Sequence, residues 1–187
     1  MVDAKTFRDA MSRLAAAVSV VTSNGPGGLS GCTASAVCSV SDEPPMLLVC
    51  INRSSRNNAI FKQNGRLCIN VLRAAQQNIA DVFARSLGDS PAGARFDESA
   101  WSLENSGVSK HVSLPDLSDP AKPLTKLPAL EDALISLDCR ITDTAEIGTH
   151  TVFYCLVEVA RFGLPGAALT YFNRAFHAVP AVSGSYP

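Results

Sequence analysis

Charge is the scarcest ingredient of this sequence: 18% of its 187 residues are Asp, Glu, Lys or Arg, and they nearly cancel to a net charge of −1. A surface that neutralises nucleic-acid phosphates needs a basic excess, and none is available to build one. Long apolar runs are missing too; none approaches the ~20 residues that span a membrane as a helix. The opening stretch Met1-Val2-Asp3-Ala4-Lys5-Thr6-Phe7 lacks the basic segment and apolar core of a secretory leader, so a cytoplasmic location is expected. No C-x-x-C pair occurs and no histidine sits at zinc-finger spacing, which argues against a structural metal. A nucleophile elbow, a P-loop and an H-E-x-x-H helix are likewise absent.

What is present is apolar bulk. Nearly half the residues, 47%, are hydrophobic, enough at this length for a sizeable core and most economically one domain over residues 1–187. Of the six cysteines, Cys50, Cys68, Cys139 and Cys155 lie inside strand-like segments such as Leu47-Leu48-Val49-Cys50-Ile51. There a free thiol acts as a small core side chain.

Phe7, Met11, Leu14, Ala15 and Val18 recur at helical spacing, predicting a first helix with one apolar face. Ser19–Ser23 is β-branched and strand-like, and Asn24-Gly25-Pro26-Gly27-Gly28 has the composition of a hairpin turn. A second strand is expected over Gly31–Ser41 and a buried one over Met46–Ile51. A short helix then runs through Phe61 to a stop at Gly65, followed by a strand at Leu67–Leu72 and a helix over Gln76–Arg85 that ends near Gly88. Residues 109–128 are rich in Pro, Ser and Asp and read as a loop. Two long strands, Ile135–Thr144 and Thr149–Phe162, and a last strand over Leu169–Val179 complete the chain. Residues 180–187 carry no motif and are expected to be a flexible tail. Strands dominate and helices are few, so a β-barrel with peripheral helices, an α+β arrangement, fits better than a doubly wound sheet.

Four places could carry chemistry. Gly31–Ser39 is poor in bulk, and period two puts Thr33, Ser35 and Ser39 on one face, where a flat ring could lie close to the backbone. Tight packing against a helix would select the same residues. Asn52-Arg53-Ser54-Ser55 joins a strand to a helix N-terminus, which is either a simple cap or a phosphate site. Gly148-Thr149-His150 puts a histidine at a hairpin, as a ligand contact or as a solvated turn residue. Tyr171-Phe172-Asn173-Arg174, with His177, mixes aromatic faces and a cation, or is a core strand with an exposed arginine.

Taken in order, these segments are similar to the flavin reductase family with the FMN-binding split-barrel fold, the reductase partners of two-component flavin monooxygenases. The likeness is carried by Phe7–Ser12, Gly31, Thr33–Val40, Asp42 with Pro44-Pro45, Leu48–Arg53 and Leu67–Leu72, then by Arg95-Phe96, Leu137–Arg140, Gly148-Thr149-His150 and Tyr171 through His177. It implies an NAD(P)H-dependent oxidoreductase that reduces FMN or FAD with NADH or NADPH as co-substrate. Hydride would pass from nicotinamide C4 to flavin N5, and a separate oxygenase would receive the reduced flavin. By the same resemblance Thr33, Ala34, Ser35, Ala36, Val37 and Ser39 lie along the flavin, while Asn52, Ser54 and Ser55 hold its phosphate region with Arg53 as helper. Arg95 and Phe96 are expected at the pocket edge, Gly148 at the turn, and His150 as the catalytic-site histidine facing the nicotinamide. A homodimer is implied, across which Tyr171, Phe172 or Arg174 would act. The contrary reading is a non-catalytic flavin-binding protein, for electron transfer or sensing, on the same barrel.

Overall fold

The computed structural model describes residues 1–85, 95–96, 101–102, 112–113 and 127–181. In chain order these form α1 (Ala4–Met11), β1 (Ala16–Ala17), β2 (Ser19–Ser23), β3 (Ser30–Ala34), β4 (Val37–Asp42), β5 (Pro45–Asn52), α2 (Arg56–Asn64) and β6 (Arg66–Val71). A 3-10 turn at Ala74–Gln76 leads into α3 (Gln77–Ala84). Short strands β7 (Trp101–Ser102), β8 (Val112–Ser113) and β9 (Ala129–Leu130) precede the long pair β10 (Ile135–Ile147) and β11 (His150–Phe162), and β12 (Ala168–Phe172) and β13 (Ala175–Val179) follow. The Pro-rich stretch lies outside the described residues except at 112–113 and 127–128, as do the expected helix end near Gly88 and the tail beyond residue 181.

The main sheet runs β3-β2-β6-β10-β11-β5-β4, antiparallel throughout, with β8 added along β11. Its two edge strands are consecutive in the chain. Only Ser35 and Ala36 separate β3 from β4, and Cys50 donates its N–H to the Ala36 carbonyl at 3.0 Å. The edges are thereby brought together around a core of Val21, Val49, Phe61, Leu67, Ile69 and Phe153, all with no exposed surface. This arrangement bears out the mostly antiparallel, barrel-like fold with few helices. It also corrects the single strand expected over Gly31–Ser41: the ladder partner changes from β2 to β5 at Ser35-Ala36, and a further register shift lies between Ser39 and Ser41. Period-two alternation cannot persist through such a corner.

Two other expectations change. The first helix stops at Met11 and buries none of its residues, and Val18 packs into the core outside it. Asp3 caps that helix through the N–H groups of Lys5 and Thr6 at 2.9 and 2.8 Å. The last strand is a hairpin, β12–β13, because Asn173 and Arg174 adopt left-handed φ values of 49° and 65° and reverse the chain. Helix α2 forms as read: Ser55 Oγ accepts from Asn57 N–H, and Gly65, at φ 68°, closes the C-terminus.

Strand β6 shows how the sheet is covered on both sides. Leu67 and Ile69 enter the main core, whereas Asn70 points to the opposite face and is fully buried. Asn70 Nδ2 donates to the Val20 carbonyl at 3.0 Å; its Oδ1 accepts from Leu130 N–H at 2.8 Å and from the Ser136 hydroxyl at 2.9 Å. One amide thus pins β2, β9 and β10 to β6. Beside it lies the second core, with Val18, Val20, Leu72, Phe83, Leu130 and Leu169.

Replacing Asn70 by Leu strands two donors and one acceptor in that dry interior. The expected cost is about 3 kcal/mol, with Tm lowered by roughly 6–12 °C in thermal unfolding. A variant melting within ~2 °C of the parent would show that the amide does not hold these strands.

Candidate active site

The corner between β3 and β4 opens onto a cleft of about 580 Å³. Its floor is Cys32–Ala36, where small side chains leave the backbone approachable and Ser35 and Ala36 stand outside both ladders. One wall is the end of β5 and the first turn of α2; the other is the end of α3, with Phe83, Ala84 and Arg85, backed by Arg95. His150 closes the rim. It sits there because β11 begins at that residue, opposite Asn52 in register. Gly148 (φ 56°) and Thr149 form the two-residue turn that returns the chain, a turn that needs glycine at its first central position.

The β5–α2 wall is shaped by its own polar groups. Asn52 Oδ1 accepts from both the N–H and the hydroxyl of Ser54 at 2.9 Å, folding the junction into an Asx turn. Ser55 then caps α2, whose N-terminal turn and dipole lie at the cleft. Arg56, Arg85 and Arg95 line the cleft, and among the described residues no Asp or Glu does. Arg56, Arg85, serine hydroxyls and a helix N-terminus make a donor set suited to a phosphate dianion, beside a small-residue floor suited to a planar ring.

Arg95 is anchored rather than extended. Its Nη1 donates to the Phe83 and Gly31 carbonyls at 3.0 and 3.4 Å, its Nη2 to the Arg85 carbonyl, and its guanidinium lies 5.8 Å from the Phe83 ring centre. Gly31 permits this closeness, since a Cβ there would come within 2.8 Å of Phe83 Cε1. Phe96 stacks edge-on to Phe83 and to Trp101, each at 5.1 Å. Burial pushes the Cys32 thiol up to about 12, against the opposing pull of Arg95, and raises that of Cys50. Both residues line the cleft, with the Cys32 side chain packed on the main core beneath it.

Thr33, Ala34, Ser35, Ala36, Asn52, Ser54, Ser55, Arg95 and His150 thus meet around one cleft. The shared face assigned to Thr33, Ser35 and Ser39 does not exist: Thr33 donates to the Ala80 carbonyl under α3 at 2.7 Å, and Ser39 is exposed on β4 beyond the corner. Val37 packs on the main core, Phe96 within the aromatic cluster, and Arg53 and Gly148 behind the rim. Tyr171, Phe172 and Arg174 lie on β12 and its turn; Tyr171 packs on Phe176, and Arg174 pairs with Asp9 of α1. Arg56, Arg85 and Phe83 escaped the sequence reading. Arg56 is legible afterwards, being the first residue inside a helix capped by Ser55, whereas Arg85 has no local signature.

Residues 11–180 match the family described as flavin reductase like domain. An FMN reductase (NADH) of Methylorubrum extorquens is 44% identical over 188 residues, covering 100% of this chain and 83% of that protein. One from Escherichia coli is 40% identical, covering 96% of each. The crystal structure of BorF, the flavin reductase component of a bacterial two-component tryptophan halogenase, superimposes with a TM-score of 0.80 at 25% identity, covering 96% of this chain and 100% of that one.

All six cysteines are free, and their settings predict an order of reactivity. Near neutral pH iodoacetamide should label exposed Cys38 first, and Cys32, Cys68, Cys139 and Cys155 only on unfolding. Peptide mass mapping that found Cys68 labelled as fast as Cys38 would contradict this packing.

Proposed function

This chain belongs to the flavin reductase like domain family, and from that premise we propose that it is an NADH-dependent FMN reductase that releases reduced flavin to a separate oxygenase. The observation that carries the reading is the cleft at the β3–β4 corner, lined by three arginines over a floor of small residues. A flavin bound there supplies ring N5 as acceptor for the hydride of a dihydronicotinamide. Arg56, Arg85 and the hydroxyls of Ser54 and Ser55 would hold its phosphate. Ala34 and Ala36 let a ring lie against the floor. The N–H groups of Ser35 and Ala36 would stabilise negative charge developing on a flavin ring held there.

His150 orients the second ring from the rim. Thr149 Oγ1 lies 2.9 Å from its Nδ1, which fixes the imidazole and leaves Nε2 for the carboxamide of the nicotinamide. The protein's contribution is therefore alignment of two planar rings. We further propose a homodimer, favoured by Phe7, Met11 and Leu14, which α1 and the residues after it leave 57, 46 and 56% exposed. The cytoplasm is the expected compartment, and among the described residues no helix is long and apolar enough to cross a membrane.

The decisive assay follows NADH oxidation under air with and without added FMN. Turnover that requires free FMN is expected; tight flavin retention with no NADH oxidation would replace this reading by a binding protein. In a His150→Ala variant the KM for NADH should rise about tenfold while the Kd for FMN stays within about twofold. An unchanged KM would remove His150 from the nicotinamide side.

A further inference from the structure

Arg53 interrupts the run Asn52-Ser54-Ser55 that lines the cleft, yet does not line it. Its side chain turns the other way, onto the β10–β11 hairpin. Its backbone N–H donates to the Thr149 carbonyl at 2.9 Å, its Nη1 to the Gly148 carbonyl at 3.3 Å, and its Nη2 pairs with Glu146 Oε2 at 2.8 Å. The other oxygen of Glu146 takes Lys62 Nζ, from the last turn of α2, at 2.7 Å. A single carboxylate thus ties the hairpin tip to the β5–α2 junction and to the last turn of α2, and the hydrogen bond from Lys62 and the charge of Arg53 lower its pKa. The residues so held, 146–149, immediately precede His150.

We propose that Arg53 is a positioning residue for His150, one that fixes the rim against the helix that receives phosphate, and that it is not itself a phosphate ligand. This rests on the reductase reading for what His150 does. The clamp itself rests on geometry alone. Arg53 and Glu146 are 49 and 47% exposed, so their pairing adds little to global stability. Its effect is local: a guanidinium fork reaches a carbonyl and a carboxylate together, and an alanine or an ammonium does not. A hairpin released at its tip lets the imidazole wander by fractions of an ångström, enough to weaken alignment of a second ring.

The test uses Arg53→Ala and Glu146→Gln in the full chain. In both, the KM for NADH should rise about fivefold with kcat within about twofold, the larger effect falling on Arg53→Ala. Titrations without NADH should show Kd values for FMN and for riboflavin, which lacks the phosphate, within about twofold of the parent. Amide exchange in the ligand-free protein should quicken severalfold at residues 146–151 and not in α2. A tenfold loss of FMN affinity that spares riboflavin would instead make Arg53 a phosphate ligand and overturn the proposal. Unchanged exchange and unchanged KM in both variants would reduce the pair to a solvated surface contact. A parent protein that oxidises no NADH would refute the reductase reading instead, and the exchange measurement would still decide the clamp.

Discussion

Everything in this structure depends on a two-residue corner. Antiparallel sheets have edges with unpaired N–H and C=O groups, and a sheet this small must cover or join them. Here one continuous stretch, Ser30–Asp42, supplies both: β3 completes one side and β4 the other, with Ser35 and Ala36 between. The bond from Cys50 N–H to the Ala36 carbonyl seats the corner on β5. Where the ladder breaks, backbone groups lose their strand partners, so the same corner that closes the barrel also floors the cleft. Structure and site have one cause.

Around that closure the chain divides polar from apolar work. Phe61 plugs the main core edge-on to Phe153, with ring centres 6.4 Å apart. On the other face of the sheet, beside the second apolar core, several buried polar groups pair with one another. Asn70 serves three elements, Thr22 donates to the Pro128 carbonyl at 2.6 Å, and Arg161 pairs with Asp138 across β10 and β11. Such networks hold only when complete, which makes this face rigid and intolerant of substitution.

Much of this was legible in the residues. Ser55 and Gly65 bracket α2 by cap chemistry, Leu67–Leu72 is apolar enough to be a strand whatever covers it, and the turn at Gly148-Thr149 has a residue signature. The Asn52–Ser55 junction and His150 were found by the same local logic. What stayed hidden is non-local. The split at Ser35-Ala36 carries no Gly, Pro or Asn to mark it, and only the partners β2 and β5 reveal it. The reversal at Asn173-Arg174 puts an arginine in a left-handed conformation, which an uninterrupted strand pattern conceals. Arg85 reaches the cleft solely because α3 ends there, and Arg53 looked like a cleft residue because its neighbours are.

Helix α1 is held by the pairing of Arg174 with Asp9 and by Asn173 N–H on the Ser12 carbonyl, and it buries none of its own residues. Eight residues make too few internal hydrogen bonds for a helix to persist in water unaided. Its order and the covering of its apolar side are therefore two readings of a single equilibrium, linked as ligand and receptor are linked. In the proposed homodimer this linkage would make the helicity of residues 4–11 depend on protein concentration as well as on sequence.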